Sequence, residues 1–287
     1  MSGKDKARRL TRRRFLKALV GTAVGGAMGA VVDALAVEPR WLRRTYPVIP
    51  VPNLPRQWDG ARLAHLSDLH HGRLVPLKQI ARAVELAVAA RPDIVVCTGD
   101  FVTGRGAVTA ALARTLKGLR APLGVFAVLG NHDHWAGAGA VRRMLAEAGI
   151  TLLDNRHVVL KRGGGSLALA GVGDLWEDRQ DLAAALAGVP AEVPRLLLCH
   201  NPDYADAMPS APRVDLMLCG HTHGGQVKIP FGPRPMLPIR NRRYAAGLIR
   251  GPRCWMYVSR GIGMVGVPVR FNCRPELPVI TLRRGGA

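Results

Sequence analysis

Five short segments of this chain hold seven of its nine histidines, each segment rich in Asp, Asn or Gly. They are Ser67-Asp68-Leu69-His70-His71, Gly99-Asp100, Gly130-Asn131-His132-Asp133-His134, His200-Asn201-Pro202-Asp203 and Gly220-His221-Thr222-His223-Gly224. Imidazole, carboxylate and amide oxygen make a donor set that suits Mn, Fe or Zn. One histidine could cap a helix or sit hydrogen-bonded in a core, but purely structural histidines rarely gather like this. Cys97, Cys199 and Cys219 lie beside the segments but inside apolar runs, so they read as core residues and not as thiolate ligands. His65 and His157 stand outside the segments and read as structural.

Each segment follows a mainly apolar run, at 63–66, 94–97, 125–129, 196–199 and 216–219. Such runs fit strands buried on both faces. Between and after the first three, apolar residues recur at spacings of three and four. One stretch holds Leu77, Ile80, Ala81, Val84, Ala87 and Val88; the others are led by Val108 and Leu112, and by Val141 and Leu145. Strands alternating with helices predict βαβ units, hence an α/β fold with its ligand site beyond the carboxyl ends of the strands. Gly163, Gly164 and Gly165 predict a hairpin turn between 158–161 and 167–170. If the chain stays extended past the first run, Asp68 and His70 share a face and can meet one ion; for His221 and His223, past a glycine, periodicity gives no direction.

Asp68-x-His70, Gly99-Asp100, Gly130-Asn131-His132-Asp133, His200 and Gly220-His221-Thr222-His223 resemble, in order and spacing, the five motifs of the calcineurin-like binuclear metallophosphoesterases. The resemblance implies a four-layer α/β/β/α sandwich with two divalent ions (Mn, Fe or Zn) at the strand ends. Carried over residue by residue, Asp68, His70 and His223 hold the first ion, Asn131, His200 and His221 the second, and Asp100 bridges both. It also implies an enzyme, with two-metal attack of hydroxide on phosphorus. His132 would serve the leaving oxygen, with Asp133 orienting its ring. His71 and His134 are candidates for substrate contact or for support behind the ligands, with solvent-facing roles equally open. Further on, Gly224-Gly225-Gln226, Arg243-Tyr244, Val258-Ser259-Arg260-Gly261, Pro268-Val269-Arg270-Phe271 and Arg274-Pro275-Glu276-Leu277 are similar to an exported or membrane-associated subgroup. That subgroup includes envelope phosphodiesterases and UDP-2,3-diacylglucosamine pyrophosphate hydrolases. The substrate it implies is a phosphodiester or pyrophosphate of an envelope lipid or nucleotide–lipid conjugate. Two alternatives stand beside it: a soluble phosphomonoesterase or nucleotidase of the same fold, and a non-catalytic envelope metal-binding protein.

Charge and length frame these readings. The chain has 287 residues and a formal charge of +21, from 41 Lys and Arg against 20 Asp and Glu. Such a field favours anionic partners. Aromatics make up only 5%, which is sparse for stacking nucleic acid. Five scattered cysteines do not form a disulfide framework, and no stretch after residue 36 approaches the ~20 apolar residues of a membrane span. Thr11-Arg12-Arg13-Arg14-Phe15-Leu16-Lys17, followed by an uncharged stretch at 18–32, is similar to a twin-arginine export signal. It implies the twin-arginine machinery as a partner and a cell-envelope location, with cleavage after Ala36 and retention as an anchor both open. The expected domains are therefore a signal or anchor at 1–36, a proline-rich linker at 37–58 leading to an edge strand, and a metallophosphoesterase domain at 59–284. Between 216 and 275 lie ten basic residues and no acidic one, with Phe231, Met236, Leu237 and Ile239 among the arginines. This stretch reads either as a loop that meets lipid headgroups and acyl chains or as a solvated basic loop. Arg234, Arg240 and Arg260 are its candidate substrate contacts.

Overall fold

Strands whose alternate residues are apolar on both sides can be covered on both faces, and here two sheets cover one another. The computed structural model describes residues 12–285. From the N-terminus the elements are α1 (Arg12–Val32), β1 (Arg43–Thr45), β2 (Val48–Val51), β3 (Arg62–Leu66), α2 (Leu77–Ala89), β4 (Ile94–Thr98), α3 (Ala110–Leu116), β5 (Val125–Val128), α4 (Asn131–Glu147) and β6 (Thr151–Leu152). There follow β7 (Arg156–Arg162), β8 (Gly165–Gly171), α5 (Leu182–Ala185), β9 (Arg195–Leu198), α6 (Tyr204–Ala207), β10 (Leu216–Cys219), β11 (Gly247–Arg250), β12 (Trp255–Val258) and β13 (Glu276–Arg284).

The first sheet has the order β1-β13-β3-β4-β5-β6, with β2 also on β13, and the second β11-β12-β10-β9-β8-β7. In β4, Ile94 and Val96 face the second sheet, while Val95 and Cys97 face the layer of α2, α3 and α4. In β10, Leu216 and Leu218 face the first sheet, whereas Met217 and Cys219 pack outward near α5 and α6. The result is the four-layer α/β/β/α sandwich. Strands β3 to β6 run parallel to one another, as do β8, β9, β10 and β12. The segments after β3, β4, β5, β9 and β10 therefore emerge where the two sheets meet.

Segment 37–58 is not a linker. Ile49, Val51, Leu54 and Trp58 are buried between the sheets, and β1 and β2 lie along the first and second halves of β13. An edge strand tolerates Pro50, so the prolines punctuate this segment without freeing it. α1 has no buried residue and is long and apolar enough to cross a membrane. Thr11 of the twin-arginine pattern, together with the basic residues before it, lies outside the described residues. At the exit of α1 the carbonyl of Ala34 accepts the Arg270 N–H, and the Glu38 carboxylate accepts the N–H groups of Asn272 and Cys273.

Candidate metal centre

The side chains of the five segments converge because the backbone turns out of extended conformation where the strands end. Asp68, His70, Asp100, His221 and His223 all have positive φ, between 46° and 69°. Each such non-glycine residue costs on the order of 1–3 kcal/mol and persists only where its surroundings hold it. Here inter-loop hydrogen bonds do so: Asp68 N–H to Gly99 O at 3.0 Å, His70 N–H to Asp100 O at 2.9 Å, Gly220 N–H to His200 O at 3.0 Å and Gly263 N–H to Asp68 O at 2.7 Å. Asp68 and His70 thus meet through left-handed residues, and not through the strand alternation expected from sequence. Two motif glycines are there for close approach. A Cβ on Gly130 would collide with Asp100 and His200, and one on Gly220 with Ser67 and Asp68.

Two groups of donor atoms that share no residue result. Asp68, His70 and His223 form one; Asp100, His200 and His221 form the other, and all six side chains are buried. A third group, His70, Asp100 and His132, overlaps both. The Nε2 atoms of His70 and His223 are 3.0 Å apart. His200 Nε2 lies 3.2 Å from His221 Nδ1 and 3.1 Å from Asn131 Oδ1. Asp100 stands between the groups, its Oδ2 at 3.2 Å from His70 Nε2 and 3.3 Å from His200 Nε2. The tautomers in the second group are set from outside. His200 Nδ1–H donates to Thr98 O at 2.6 Å and His221 Nε2–H to Pro238 O at 3.1 Å, so the facing nitrogens keep their lone pairs for a cation. Donors about 2.0–2.2 Å from one ion stand about 3 Å from each other. Nitrogens at 3.0 and 3.2 Å fit that requirement in both groups.

The electrostatics fit as well. Burial pushes the Asp100 carboxyl up, but His200 and His70 beside it outweigh that and hold it well below the usual carboxylate range. His200 is lowered by burial yet ends well above its ordinary value because Asp100, Asp68 and Asp174 face it. The pocket therefore favours positive charge. Burial brings His221 down to about 3, helped by His200, and puts His223 well below normal, helped by His70 and Arg270. Both rings are neutral, the form that ligates metal. All five cysteines are buried and free; burial pushes the Cys97 thiol up to about 12, so it offers no thiolate.

The sequence profile of the calcineurin-like phosphoesterases matches residues 61–225, which contain every one of these donors. The chain belongs to the calcineurin-like phosphoesterase family. It is 35% identical over 281 residues to the phosphodiesterase YaeI of Escherichia coli (strain K12), covering 95% of this chain and 99% of that one. To the metallophosphoesterase YkuE of Bacillus subtilis (strain 168) it is 30% identical over 283 residues, covering 96% and 99%. A transmembrane protein with a metallophosphoesterase domain from Danio rerio is 33% identical over 250 residues, 82% of this chain and 56% of that protein. Among solved structures, the sulfate thiohydrolase SoxB of Thermus thermophilus shares the fold, with a TM-score of 0.51, 16% identity and coverage of 80% of this chain and 57% of SoxB.

Around the donors of this calcineurin-like phosphoesterase the other expected residues divide. His132 is at the site: its ring is 4.7 Å from that of His70, and its backbone N–H donates to Asp100 Oδ1 at 2.9 Å. Asp133 does not orient that ring. Its carboxylate accepts the N–H groups of Asp100, Phe101, Val102 and Gly130 at 2.8–3.3 Å, while His132 Nδ1 faces Thr103 O at 3.3 Å. The role that the resemblance implied for Asp133 fails here, because successive helix residues point in different directions. His71 is tied to Val75 O, outside the donor groups, on a cleft of about 500 Å³ shared with Arg73 and Arg105. His134 turns to Asp178, 3.9 Å away. Arg234 donates to Gly224 O behind His223. Arg240 is exposed, with its backbone N–H on Asp203, and Arg260 lines a cavity of about 520 Å³ with Glu38 and Glu276. Sequence reading gave no role to Arg270, whose buried guanidinium donates to the carbonyls of Cys273, Arg260 and Gly263 and reaches His223 Nδ1 at 3.4 Å. Nor did it single out Asp174, Trp135 or Trp176, although Asp174 follows a glycine as Asp100 does and Trp135 directly follows His134.

Proposed function

We propose that the chain hydrolyses a phosphodiester or pyrophosphate bond in a lipid or nucleotide–lipid conjugate of the cell envelope. The placing of Asp100 between two donor groups carries the hydrolytic part, since one carboxylate shared by both is what a pair of adjacent cations requires. In this reading Asp68, His70 and His223 would hold one divalent ion, Asn131, His200 and His221 the other, and Asp100 would serve both. Such ions supply Lewis acidity, lowering the pKa of water and offsetting charge on phosphoryl oxygens. With Nδ1–H on Thr103 O, His132 presents Nε2 to the substrate. Burial lowers its pKa, which makes the protonated ring a stronger acid toward the leaving oxygen.

Three observations support the lipid and the envelope. The E. coli relative is named a phosphodiesterase, and the Danio relative a transmembrane protein. Within the basic 228–242 stretch Phe231 is fully exposed and Ile229 44% exposed, whereas Ile239 packs inward and Leu237 lies against Gly225. Pro230, next to Phe231, shares a cavity with Asp33 at the exit of α1, so an apolar loop tip and an apolar helix lie on one side of the molecule. Arginines with an exposed aromatic tip suit an anionic lipid surface. We assign export to the twin-arginine machinery on the 11–17 sequence pattern alone, and retention of α1 because Ala34 and Glu38 on either side of Ala36 are bonded into the fold.

The test compares Mn-dependent hydrolysis of bis-p-nitrophenyl phosphate, a nucleotide diphosphate conjugate and a lipid-linked pyrophosphate by the full-length chain and by Phe231→Ser. Loss of only the lipid reaction supports the assignment. Equal effects on all three substrates, or no turnover of the lipid by the parent chain, would overturn it.

A further inference from the structure

Two tryptophans stand at the metal centre half in solvent. Trp135 is 50% exposed and Trp176 49%. The indole of Trp135 meets the His132 ring edgewise, centroids 4.6 Å apart at 62°. That of Trp176 meets His221 at 4.5 Å and 89°. One indole thus borders the His70 side of the centre and the other the His200 side.

The pair is built into the fold. Trp135 Nε1–H donates to Glu177 Oε1 at 2.8 Å, joining α4 to the loop after β8. The buried Asp174 carboxylate fixes that loop by accepting the N–H groups of Trp176 at 2.9 Å and Glu177 at 3.2 Å. Exposing this much indole forgoes apolar burial, at about 25 cal/mol per Å². Rigid aromatic surface of this kind is what binding sites present, because little side-chain entropy is lost on contact.

We infer that Trp135 and Trp176 form the subsite for an apolar organic group carried by the phosphate that binds the metal centre. This rests on the phosphoesterase reading above and adds the chemistry beyond the phosphorus. A phosphoryl group lying between His132 and His221 has an indole beside each ring, so a substituent that is aromatic or acyl stacks there. A small hydrophilic one gains nothing.

Non-hydrolysable phosphonates test this without turnover. Calorimetry on the Mn-loaded full-length protein would compare methyl-, phenyl- and octylphosphonate. The parent chain is expected to bind phenyl- or octylphosphonate at least about 10-fold more tightly than methylphosphonate, a preference that Trp135→Ala and Trp176→Ala each reduce severalfold and Trp135→Phe largely keeps. A gain with the phenyl compound identifies aromatic substituents and a gain with the octyl compound acyl chains. No preference in the parent chain, or one unchanged in both alanine variants, would overturn the inference. Failure of the phosphoesterase reading looks different: none of the three compounds, methylphosphonate included, would bind.

Discussion

Replacing Asp133 with Asn distinguishes holding the loop from orienting the ring. Oδ1 accepts from Phe101 and Val102, and Oδ2 from Asp100 and Gly130. Burial and the neighbouring Asp100 push the carboxyl up to about 7. Four N–H donors nevertheless leave no acceptor for a carboxyl proton, so the group serves as a carboxylate. Asn keeps one oxygen and turns an NH2 toward two backbone donors, so two bonds to a charged acceptor are lost. At about 1.5–3 kcal/mol each, the cost is about 3–6 kcal/mol. Against a total stability of about 5–15 kcal/mol this is severe, and at about 2–4 °C per kcal/mol it lowers the melting temperature by about 6–24 °C. Because the freed N–H groups belong to Asp100 and its neighbours, bound metal falls too. Thermal melts followed by near-ultraviolet circular dichroism, with metal analysis of the same samples, measure both. A melting temperature within about 2 °C of the parent, combined with a rate loss that grows with leaving-group pKa, would refute the reasoning and return Asp133 to the His132 ring.

His132→Ala should retain metal and lose about 100-fold or more in turnover, less for esters with good leaving groups; a uniform loss across leaving groups would contradict the acid role. Asp100→Asn should release or scramble both ions, so two ions per chain by mass spectrometry would count against the shared carboxylate. His65 is buried between the sheets, and burial lowers its pKa from 6.5 to about 3. It is neutral when folded and binds a proton more readily when unfolded. Its contribution is complete above pH 6.5 and is lost as pH falls through the window toward 3, at about 1.4 kcal/mol per pH unit. Denaturant titrations at pH 7, 6 and 5 should therefore fall less steeply for His65→Gln, and parallel slopes would show that His65 does not set this limb.

What could be read from sequence was what rests on period and composition. The run 216–219 became β10 and the Gly163–Gly165 turn joined β7 to β8, because apolar runs and glycine turns act locally. The helix after the third run begins at Asn131, ten residues before the periodic stretch led by Val141, since α4 starts with the site residues themselves. The linker reading failed because prolines at 47–55 signal only missing N–H groups, and an edge strand on β13 needs few. Donors could be named because histidine and carboxylate are rare together. Their geometry could not, because Asp68 and His70 depart from the strand rule through positive φ values that no periodicity encodes.

The donor geometry is hidden from sequence for a second reason. Residues that do the chemistry are held by groups outside the motifs: Thr98 O fixes His200, Pro238 O fixes His221, Thr103 O faces His132, and Arg270 lies behind His223. Three of these four partners are backbone carbonyls, which have no residue type to recognise in a sequence. The position of each is instead set by the sheet or loop that carries it. Thr98 ends β4, and its hydroxyl donates to Ser67 Oγ while facing His65 Nε2 at 2.8 Å. The same residue thus joins the inter-sheet layer to the metal centre. A motif states which atoms can bind an ion. The packing of the two sheets decides where those atoms point, which is why the strained loops can be held at the one edge where the parallel strands of both sheets end.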